Sequence, residues 1–315
     1  MPNPLPQLLQ LIGPALVAPK LKVMYMPTTK VACSSLKLLL AQSEGSYNEE
    51  ASRVILTPHI FQEQTIHDYR VHGLVRFFDL PEREQWKIIT SPEWFRIAAL
   101  RDPLSRAYSA WENRVFLRRP GTPDVIMERS PDVVIDGKID LAATFKNFAR
   151  EFALDQPAFM GDRHFTPQFN TLCSDQLDYT HVIRVDKLGE LDRLAQILNE
   201  RSGKNLKPSR LNSGLGIKLA QVYDQETADI VSGIYVEDYR WFDFEPHQFT
   251  AQNVMLPLDA LQTALLRDLR KTTERFNHMS RSAFGRVGFR YGLSQVRKSL
   301  WIRLTKAKGD TRVQR

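Results

Sequence analysis

Four short apolar runs recur along the chain, and each is followed by polar residues or by a segment with helical periodicity. They span residues 22–26, 54–56, 95–100 and 181–185. Runs of this length are typical of strands buried on both faces, and helical segments between them favour parallel pairing. The pattern therefore predicts an α/β fold with a central parallel sheet flanked by helices. In such sheets, ligands bind at the carboxyl ends of the strands.

Apolar residues also occur at helical spacing near the end of the chain. They are Leu293, Val296, Leu300, Trp301 and Leu304, with arginine and lysine between and beside them. This pattern predicts a basic amphipathic helix. Two roles remain open for it: contact with an anionic membrane or acidic polysaccharide, or packing on the core with a solvated basic face.

The composition is sufficient for one substantial hydrophobic core, and the positive charge is concentrated near the end of the chain. The chain has 315 residues, of which 43% are hydrophobic, and a net charge of +7. Residues 260–315 hold 14 Lys and Arg against 3 Asp and Glu, so this tail carries the whole excess. Aromatic residues are not enriched there and no nucleic-acid module is visible, so no nucleic-acid partner is expected.

Two features of the chain bear on its location. Residues 8–18 are apolar, but no basic residue precedes them, they include Pro14, and they are too short to span a bilayer. Two cysteines in this length indicate a reducing compartment. We therefore expect a cytoplasmic protein, with peripheral contact at the inner membrane face through the basic tail.

The first candidate binding element follows the strand predicted at residues 22–26. The segment 25–37, YMPTTKVACSSLK, leads from a strand through a polar loop into a helix. A helix N-terminus offers unpaired backbone N–H groups and a partial positive charge to an anion. Lys30 adds a full charge, and Ser34 and Ser35 add hydroxyl donors. The segment has no glycine, which argues against an ordinary nucleotide P-loop.

The second candidate element has the same layout. In residues 95–111, FRIAALRDPLSRAYSAW, a strand end presents Arg101, and Pro103 suits the first turn of a helix that carries Arg106 and Ser109. The arginine fork can donate two parallel hydrogen bonds to a phosphate. Two anion-binding elements about seventy residues apart predict a ligand that is phosphorylated at two places.

Together the two elements resemble the sulfotransferases that use 3′-phosphoadenosine 5′-phosphosulfate (PAPS), in particular the branch that sulfates carbohydrates (sulfotransferase family 2). Residues 30–37, KVACSSLK, resemble the family's P-K-V-A-C-T-S-x-K, and residues 101–111, RDPLSRAYSAW, its R-D-P-x-x-R-x-x-S-A-Y. The resemblance implies a P-loop-like nucleotide-binding fold and PAPS as sulfuryl donor. It also implies these donor-binding residues: Lys30, Val31, Ala32, Cys33, Ser34, Ser35, Leu36, Arg101 and Ser109.

Further stretches extend the resemblance over about residues 21–246. His164 begins the run HFTPQ, similar to the family's H-W-x-P-Q, and residues 235–244, YVEDYRWFDF, are similar to its closing Y-x-x-D-Y-x-x-F. We therefore divide the chain into an N-terminal leader at 1–20, a sulfotransferase domain at 21–250, and a basic helical C-terminal extension at 251–315.

The resemblance also implies a histidine base. Residues 71–79, VHGLVRFFD, are similar to the H-G-H-V-x-F-x-D-F stretch of uronyl-type members, whose histidines are catalytic. His72 is therefore predicted to accept the proton of the acceptor hydroxyl, a task that suits the ordinary pKa of histidine. The second histidine of that stretch is Leu74 here. The rival candidates are His59, His67 and His164.

The predicted mechanism is in-line sulfuryl transfer to a hydroxyl of a carbohydrate or glycolipid acceptor. Lys30 would neutralise charge on the bridging oxygen, and His72 would act as base. No metal is predicted, because no cluster of Asp, Glu and His has convincing ligand spacing. The alternatives are a small-molecule kinase, which would require a Mg²⁺ site, and a nucleic-acid-binding protein acting through the basic tail.

Three supporting features keep two interpretations each. Lys37 either contacts phosphate or belongs to a solvated helix face. Arg106 either braces the loop for the 3′-phosphate or pairs with Asp102. Residues 117–141 contain several prolines and glycines without a clear period, and they either shape the acceptor cleft or form an excursion without a role in binding.

Overall fold

The computed structural model describes residues 5–55, 62–209, 211 and 214–287. The strands are β1 (Leu16–Ala18), β2 (Val23–Met26), β3 (Val75–Arg76), β4 (Phe95–Leu100), β5 (Val134–Ile135), β6 (Lys138–Ile139) and β7 (His181–Arg184). The α-helices are α1 (Leu5–Leu11), α2 (Cys33–Glu44), α3 (Glu49–Val54), α4 (Tyr69–His72), α5 (Glu82–Thr90), α6 (Pro103–Trp111), α7 (Asp124–Arg129), α8 (Leu141–Leu154), α9 (Gln156–Met160), α10 (Gln168–Leu172), α11 (Glu190–Ser202), α12 (Gln225–Ile234), α13 (Val236–Phe242) and α14 (Ala260–Val287).

Five strands form the central sheet in the order β3-β1-β2-β4-β7. Strands β2, β4 and β7 are parallel, with Tyr25 opposite Ile97 and Ala98 opposite Val182. Strand β1 runs antiparallel to both β2 and β3. The α/β prediction with a central sheet flanked by helices is confirmed, and three of its strands are parallel as predicted.

Part of the predicted leader belongs to this sheet. Residues 16–18 form β1, which lies between β2 and β3, and all three are buried. Ile12 and Ala15, which precede it, have no exposed surface. The apolar character of residues 8–18 therefore reflects packing in the core, because β1 and the turn before it are enclosed between sheet and helices.

One predicted strand was wrong. Residues 49–54 form α3, and Val54 is exposed, while Leu56 and residues 57–61 lie outside the described residues. The side chain of Asn48 accepts a hydrogen bond from the Ala51 N–H and caps the helix. Glu49 and Glu50 in the first turn and Arg53 in the last turn complement the helix dipole. The capping contact and these charges favour a helix more strongly than the three apolar residues 54–56 favour a strand.

The alternation of side chains in the strands produces two apolar layers. Tyr25, Ile97 and Ile183 face a layer with α2 and α11, whereas Met24 and Ala98 face a layer with α1 and α5. A third cluster is aromatic and lies around α6 and α8. It contains Trp111, Phe145, Phe148, Phe152, Phe159 and Phe165. These layers fix the ends of β2 and β4, from which both predicted anion-binding elements begin.

The C-terminal extension contains a helix, as predicted: α14 follows the non-helical residues 251–259. Leu266 and Leu269 of α14 pack against the aromatic cluster. Arg270 donates from Nε to the carbonyl oxygen of Phe116 at 2.8 Å and forms an ion pair with Asp132. Residues 293–306, predicted to be a basic amphipathic helix, lie outside the described residues, so that their membrane contact stays a prediction. Within the described ranges, every helix is too short or too polar to span a bilayer.

Candidate active site

In the loop after β2, two residues have backbone angles that residues other than glycine rarely adopt. Lys30 and Ala32 have φ angles of 64° and 47°, in the left-handed region that usually favours glycine. Ala32 is the N-cap of α2 and has no side-chain oxygen to accept from the helix N-terminus. The N–H groups of the first turn are therefore not capped by that residue. Left-handed backbone of this kind is concentrated at functional sites.

A cavity of about 600 Å³ opens at the carboxyl ends of β2 and β4, within the usual size range of ligand sites. Six of the predicted donor-binding residues line it: Lys30, Ala32, Cys33, Ser34, Arg101 and Ser109. The sequence motifs thus lie on one cavity, although about seventy residues separate them along the chain.

Three predicted residues do not line the cavity. Val31 and Leu36 are buried in the apolar layer beneath the loop, and the Leu36 N–H is bonded to the Ala32 carbonyl. Ser35 accepts a hydrogen bond at its Oγ from the N–H of Leu211, 3.2 Å away. The side chains of these residues support the loop. Ser35 and Leu36 belong to α2, and the helical period turns them away from the open side of the loop.

Lys30 and Arg101 are linked through the backbone of the loop. Nη1 of Arg101 donates to the Lys30 carbonyl oxygen at 3.1 Å. Burial lowers the pKa of Lys30 to about 8, and burial also lowers the pKa of Arg101 from its ordinary value. The side-chain amide of Gln168 accepts from the Arg101 N–H and donates to its carbonyl oxygen, both at 2.9 Å. Both half-buried cations line the cavity, and the Arg101 guanidinium is fixed by its hydrogen bond to the loop.

Arg106 braces the loop and does not pair with Asp102. Its Nε donates to the Thr29 carbonyl at 3.1 Å, and its Nη2 donates to the Thr166 carbonyl at 2.8 Å. Asp102 instead accepts from the Ser105 N–H at the start of α6 and contacts His247 Nε2 at 2.9 Å. Of the two interpretations of Arg106, the structure supports the bracing role. The loop that Arg106 braces is, however, the one that carries Lys30, and not the predicted loop for the 3′-phosphate.

His164 lies on the cavity wall beside a carboxylate. Its Nδ1 is 2.6 Å from Oδ1 of Asp162, and Asp162 also accepts from Nε of Arg114 at 2.8 Å. These contacts hold the pKa of Asp162 below its ordinary value despite burial. An ionised carboxylate only accepts hydrogen bonds, so Nδ1 carries the proton and Nε2 has the lone pair. Nε2 has no hydrogen-bond partner among the described residues.

His72 does not line the cavity. Its side chain is 3% exposed, and its Nδ1 accepts from the Leu74 N–H at 2.9 Å. Burial and the nearby charge of Lys37 lower its pKa to about 4. The geometry therefore does not support the prediction of His72 as base, because one ring nitrogen is occupied and the side chain is enclosed. His59 lies outside the described residues.

His67 lies on the cavity wall and joins two side chains of α2. Its Nε2 is 3.0 Å from Ser34 Oγ, and its Nδ1 is 3.0 Å from Lys37 Nζ. Lys37 also lines the cavity, and burial lowers its pKa from the ordinary value. Lys37 is half-buried on the cavity wall, which favours the interpretation that it contacts phosphate; that contact stays a prediction.

Residues 112–123 close another side of the cavity. A π-helical turn at Glu112–Phe116 follows α6 directly, and the Leu117 N–H bonds to the Glu112 carbonyl five residues earlier. Asn113 and Arg114 of this turn line the cavity. Such turns often occur at functional sites. Further along, Arg119, Pro120, Gly121 and Pro123 also line it, so the first part of the segment 117–141 contributes to the cavity wall. Its role in binding an acceptor stays a prediction.

Sequence reasoning missed Arg114, Asp162 and Arg163 as cavity residues. Asp162 precedes His164 by two residues, so an acidic residue beside a histidine was a readable local signal. Arg114 had no such signal, because the π turn that directs it is not visible in the apolar pattern. The described part of the chain contains no group of three or more His, Cys, Asp or Glu side chains that could hold a metal ion.

The charges around the cavity are mostly positive. The cations that line it are Lys30, Lys37, Arg101, Arg114, Arg119 and Arg163. Among the described residues, Asp162 is the one acidic residue that lines it. Cations partly withdrawn from water attract anions more strongly than the same cations at the surface. The arrangement suits a ligand with several negative charges.

Comparison with known proteins gives one match. The model of the protein family described as the Sulfotransferase family matches residues 14–245. No curated protein and no solved structure matches the chain. The matched range begins before β1 and contains both elements that line the cavity.

Proposed function

The chain belongs to the sulfotransferase family, and on this basis we propose that it transfers the sulfuryl group of PAPS to a hydroxyl of a carbohydrate or glycolipid acceptor. The observation that carries the proposal is the hydrogen bond from Arg101 to the carbonyl oxygen of Lys30. It joins the element assigned to the 3′-phosphate with the element assigned to the 5′-phosphosulfate. One ligand phosphorylated at both positions would contact both.

The residues present fit such a donor. Cys33, Ser34 and Ser35 supply the first-turn N–H groups of α2, where an anion is held by several donors at once. Arg101 and Ser109 line the same cavity and suit a phosphate monoester. When bound, PAPS supplies an activated sulfuryl group.

Lys30 is proposed to stabilise the leaving group. Its ammonium neutralises negative charge that develops on the oxygen bridging phosphate and sulfur as that bond breaks. A pKa of about 8 leaves most of the side chain charged at pH 7. Transfer of a sulfuryl group needs positioning and charge stabilisation of this kind, and no step of the proposal requires a metal.

His164 is proposed as the base in place of His72. With Nδ1–H donated to Asp162, Nε2 is oriented as a proton acceptor. His164 takes the proton of the acceptor hydroxyl, the acceptor oxygen forms the new bond to sulfur, and the bond from sulfur to the 5′-phosphate oxygen breaks. Asp162 stabilises the imidazolium that forms, and Arg114 keeps the carboxylate in place.

The carbohydrate or glycolipid class of acceptor rests on the resemblance of the motifs to the carbohydrate branch. Arg119, Pro120, Gly121 and Pro123, together with residues 161–164, line the cavity and are proposed to contact the acceptor. A cytoplasmic location and contact with an anionic membrane through residues 293–306 are part of the same proposal.

Calorimetric titration with 3′-phosphoadenosine 5′-phosphate (PAP), without magnesium, tests the donor site. We expect wild type to bind at micromolar concentration, and Lys30→Ala and Arg101→Ala to bind at least tenfold more weakly, because each removes a charge-assisted contact. Lys87→Ala, on the exposed face of α5, is the control and should bind as wild type does. Failure of wild type to bind PAP would contradict the proposal.

Transfer of labelled sulfate from PAPS to an acceptor identified by screening tests the base. His164→Gln should lower kcat by about 10² to 10⁴, the usual contribution of a general base, while PAP affinity stays near that of wild type. Asp162→Asn should lower kcat less and shift the pH profile, because the tautomer is no longer fixed. An unchanged kcat for His164→Gln would exclude it as the base.

A further inference from the structure

Two side chains of α2 reach toward the cavity from the same face of the helix. Ser34 and Lys37 are three residues apart, a spacing that places them one above the other. Ser34 is in the first turn of α2, beside the N–H groups assigned to the 5′ end of the donor, and both residues line the cavity. A single side chain placed between Ser34 and Lys37 could therefore orient both of them toward the ligand.

His67 makes that contact with both. Its two ring nitrogens are each 3.0 Å from one of them, Nε2 from Ser34 Oγ and Nδ1 from Lys37 Nζ. A lysine ammonium only donates, so Nδ1 accepts and Nε2 carries the proton that is donated to Ser34. The hydroxyl hydrogen of Ser34 is then directed away from His67, and one N–H of Lys37 is committed while two others remain.

The backbone around His67 is held in place independently of any ligand. The neighbouring Thr65 and Ile66 are buried, and the Asp68 N–H bonds to the Thr65 carbonyl at 2.9 Å. Asp68 then caps α4 by accepting from the Arg70 N–H. The imidazole is therefore attached to a rigid support, which is what a residue that orients others requires.

We infer that His67 is a positioning residue that holds the Ser34 hydroxyl and the Lys37 ammonium toward the 5′ end of the sulfuryl donor. This inference rests on the proposed function. His67 exchanges no proton with the substrates in this role, which distinguishes it from His164. Lys37 becomes a second cation at the 5′ end beside Lys30.

The test compares two nucleotides that differ only at the 5′ end. PAP and adenosine 3′-monophosphate are titrated calorimetrically into wild type, His67→Phe and His67→Gln. Phenylalanine keeps a ring but removes both hydrogen bonds, whereas glutamine retains one donor and one acceptor. We expect His67→Phe to weaken PAP about tenfold or more and to leave the 3′-monophosphate unchanged, and His67→Gln to recover most of the loss.

A double-mutant cycle with Lys37→Met provides a second, independent measurement. Lys37→Met should weaken PAP, and adding His67→Phe to it should cost less than His67→Phe does in wild type, since the two residues act through one contact. Full additivity would overturn the inference. So would an unchanged PAP affinity in His67→Phe, or equal losses for both nucleotides, which a general structural role would cause.

The inference and the proposed function fail in different ways. Wild type that bound neither nucleotide would overturn the proposed donor site, and this inference with it. If wild type and every His67 variant bound PAP equally well, the proposed donor site would be supported and only the role of His67 would be contradicted. Thermal unfolding of each variant distinguishes lost binding from lost structure.

Discussion

Lys30 combines two features that are each unfavourable in isolation. Its backbone is left-handed, at φ 64°, and its ammonium is buried enough to lower the pKa to about 8. Strained backbone costs of order 1–3 kcal/mol, and a cation withdrawn from water raises the free energy of the unliganded protein. An anion bound in the cavity relieves the second cost, so that Lys30 is prepared for a negatively charged ligand.

The lowered pKa of Lys30 predicts how donor affinity depends on pH. The charged form predominates below about pH 8 and binds the anion better, so affinity for PAP should fall as pH rises above about 8, by up to about tenfold per pH unit. The phosphate groups are already fully ionised there, with second pKa values near 6, and do not contribute. Calorimetry between pH 7 and 9.5 measures the effect.

Lys30→Arg is the matched control, because arginine stays charged throughout that range. Its PAP affinity is expected to fall less steeply than that of wild type from pH 7 to 9.5, because Lys37, whose pKa burial also lowers, is then the 5′-end cation that can lose its proton. Parallel pH profiles for wild type and Lys30→Arg would show that another group causes the decline.

The two histidines His164 and His72 illustrate how environment assigns a role to a residue type. His164 has an ionised carboxylate on one ring nitrogen and the cavity beside it, whereas His72 has a backbone N–H on one nitrogen and is enclosed. A side chain that accepts from a backbone N–H and lies away from the cavity stabilises its own loop. The motif around His72 resembled a catalytic stretch, but its position in the fold does not bring it to the cavity.

At the scale of elements, the loop of residues 27–32 is held from beneath by a second strand–turn–helix unit. Arg106 of α6 is 1% exposed and donates to carbonyl groups of Thr29 and Thr166. Its guanidinium also lies 5.9 Å from the ring centre of Tyr235. These contacts connect the loop after β2, the helix after β4 and the segment before α10, so one side chain joins three segments around the cavity.

Arg106→Lys should therefore destabilise the protein although it keeps the charge. A single ammonium cannot replace the two directions of the guanidinium fork, and at least one carbonyl would lose its partner in a buried setting. We expect a loss of about 2 kcal/mol in the free energy of unfolding, measured by urea denaturation, and weaker PAP binding. Arg83→Lys, on the exposed face of α5, should change stability by less than about 0.5 kcal/mol.

At the scale of the whole molecule, α14 is attached to the domain that contains the cavity. Arg270 connects it to the carbonyl of Phe116, at the end of the π turn, and to Asp132. Leu266 is 7% exposed and packs on the aromatic cluster. The first part of the C-terminal extension is therefore a structural component of the fold, and it lies against the segment that forms one wall of the cavity.

Arg270→Ala should lower the free energy of unfolding by about 1–2 kcal/mol, because it leaves the Phe116 carbonyl and the Asp132 carboxylate without their partner. Both side chains are mostly buried, so solvent screens this pair less than a surface pair. Arg275 lies in the same helix and is exposed, so Arg275→Ala is the control. Equal stability of the two variants in denaturant titration would mean that the contact of α14 is not stabilising.

The sequence by itself determined the two strand–turn–helix elements and indicated the family. The apolar runs 22–26, 95–100 and 181–185 became β2, β4 and β7 because each strand–turn–helix unit is specified by neighbouring residues. The family match over residues 14–245 confirms the resemblance read from the motifs around Lys30 and Arg101. The donor and acceptor remain proposals.

Only the tertiary structure decided which residues share the cavity. Strand β1 was missed because three apolar residues carry no periodicity, and the false strand at 54–56 lost to helix-capping contacts. Arg114, Asp162 and His164 meet because the π turn and the loop before α10 approach each other across about fifty residues, and His67 meets Ser34 and Lys37 in the same way. Such contacts depend on the packing of distant segments, which a local pattern does not encode.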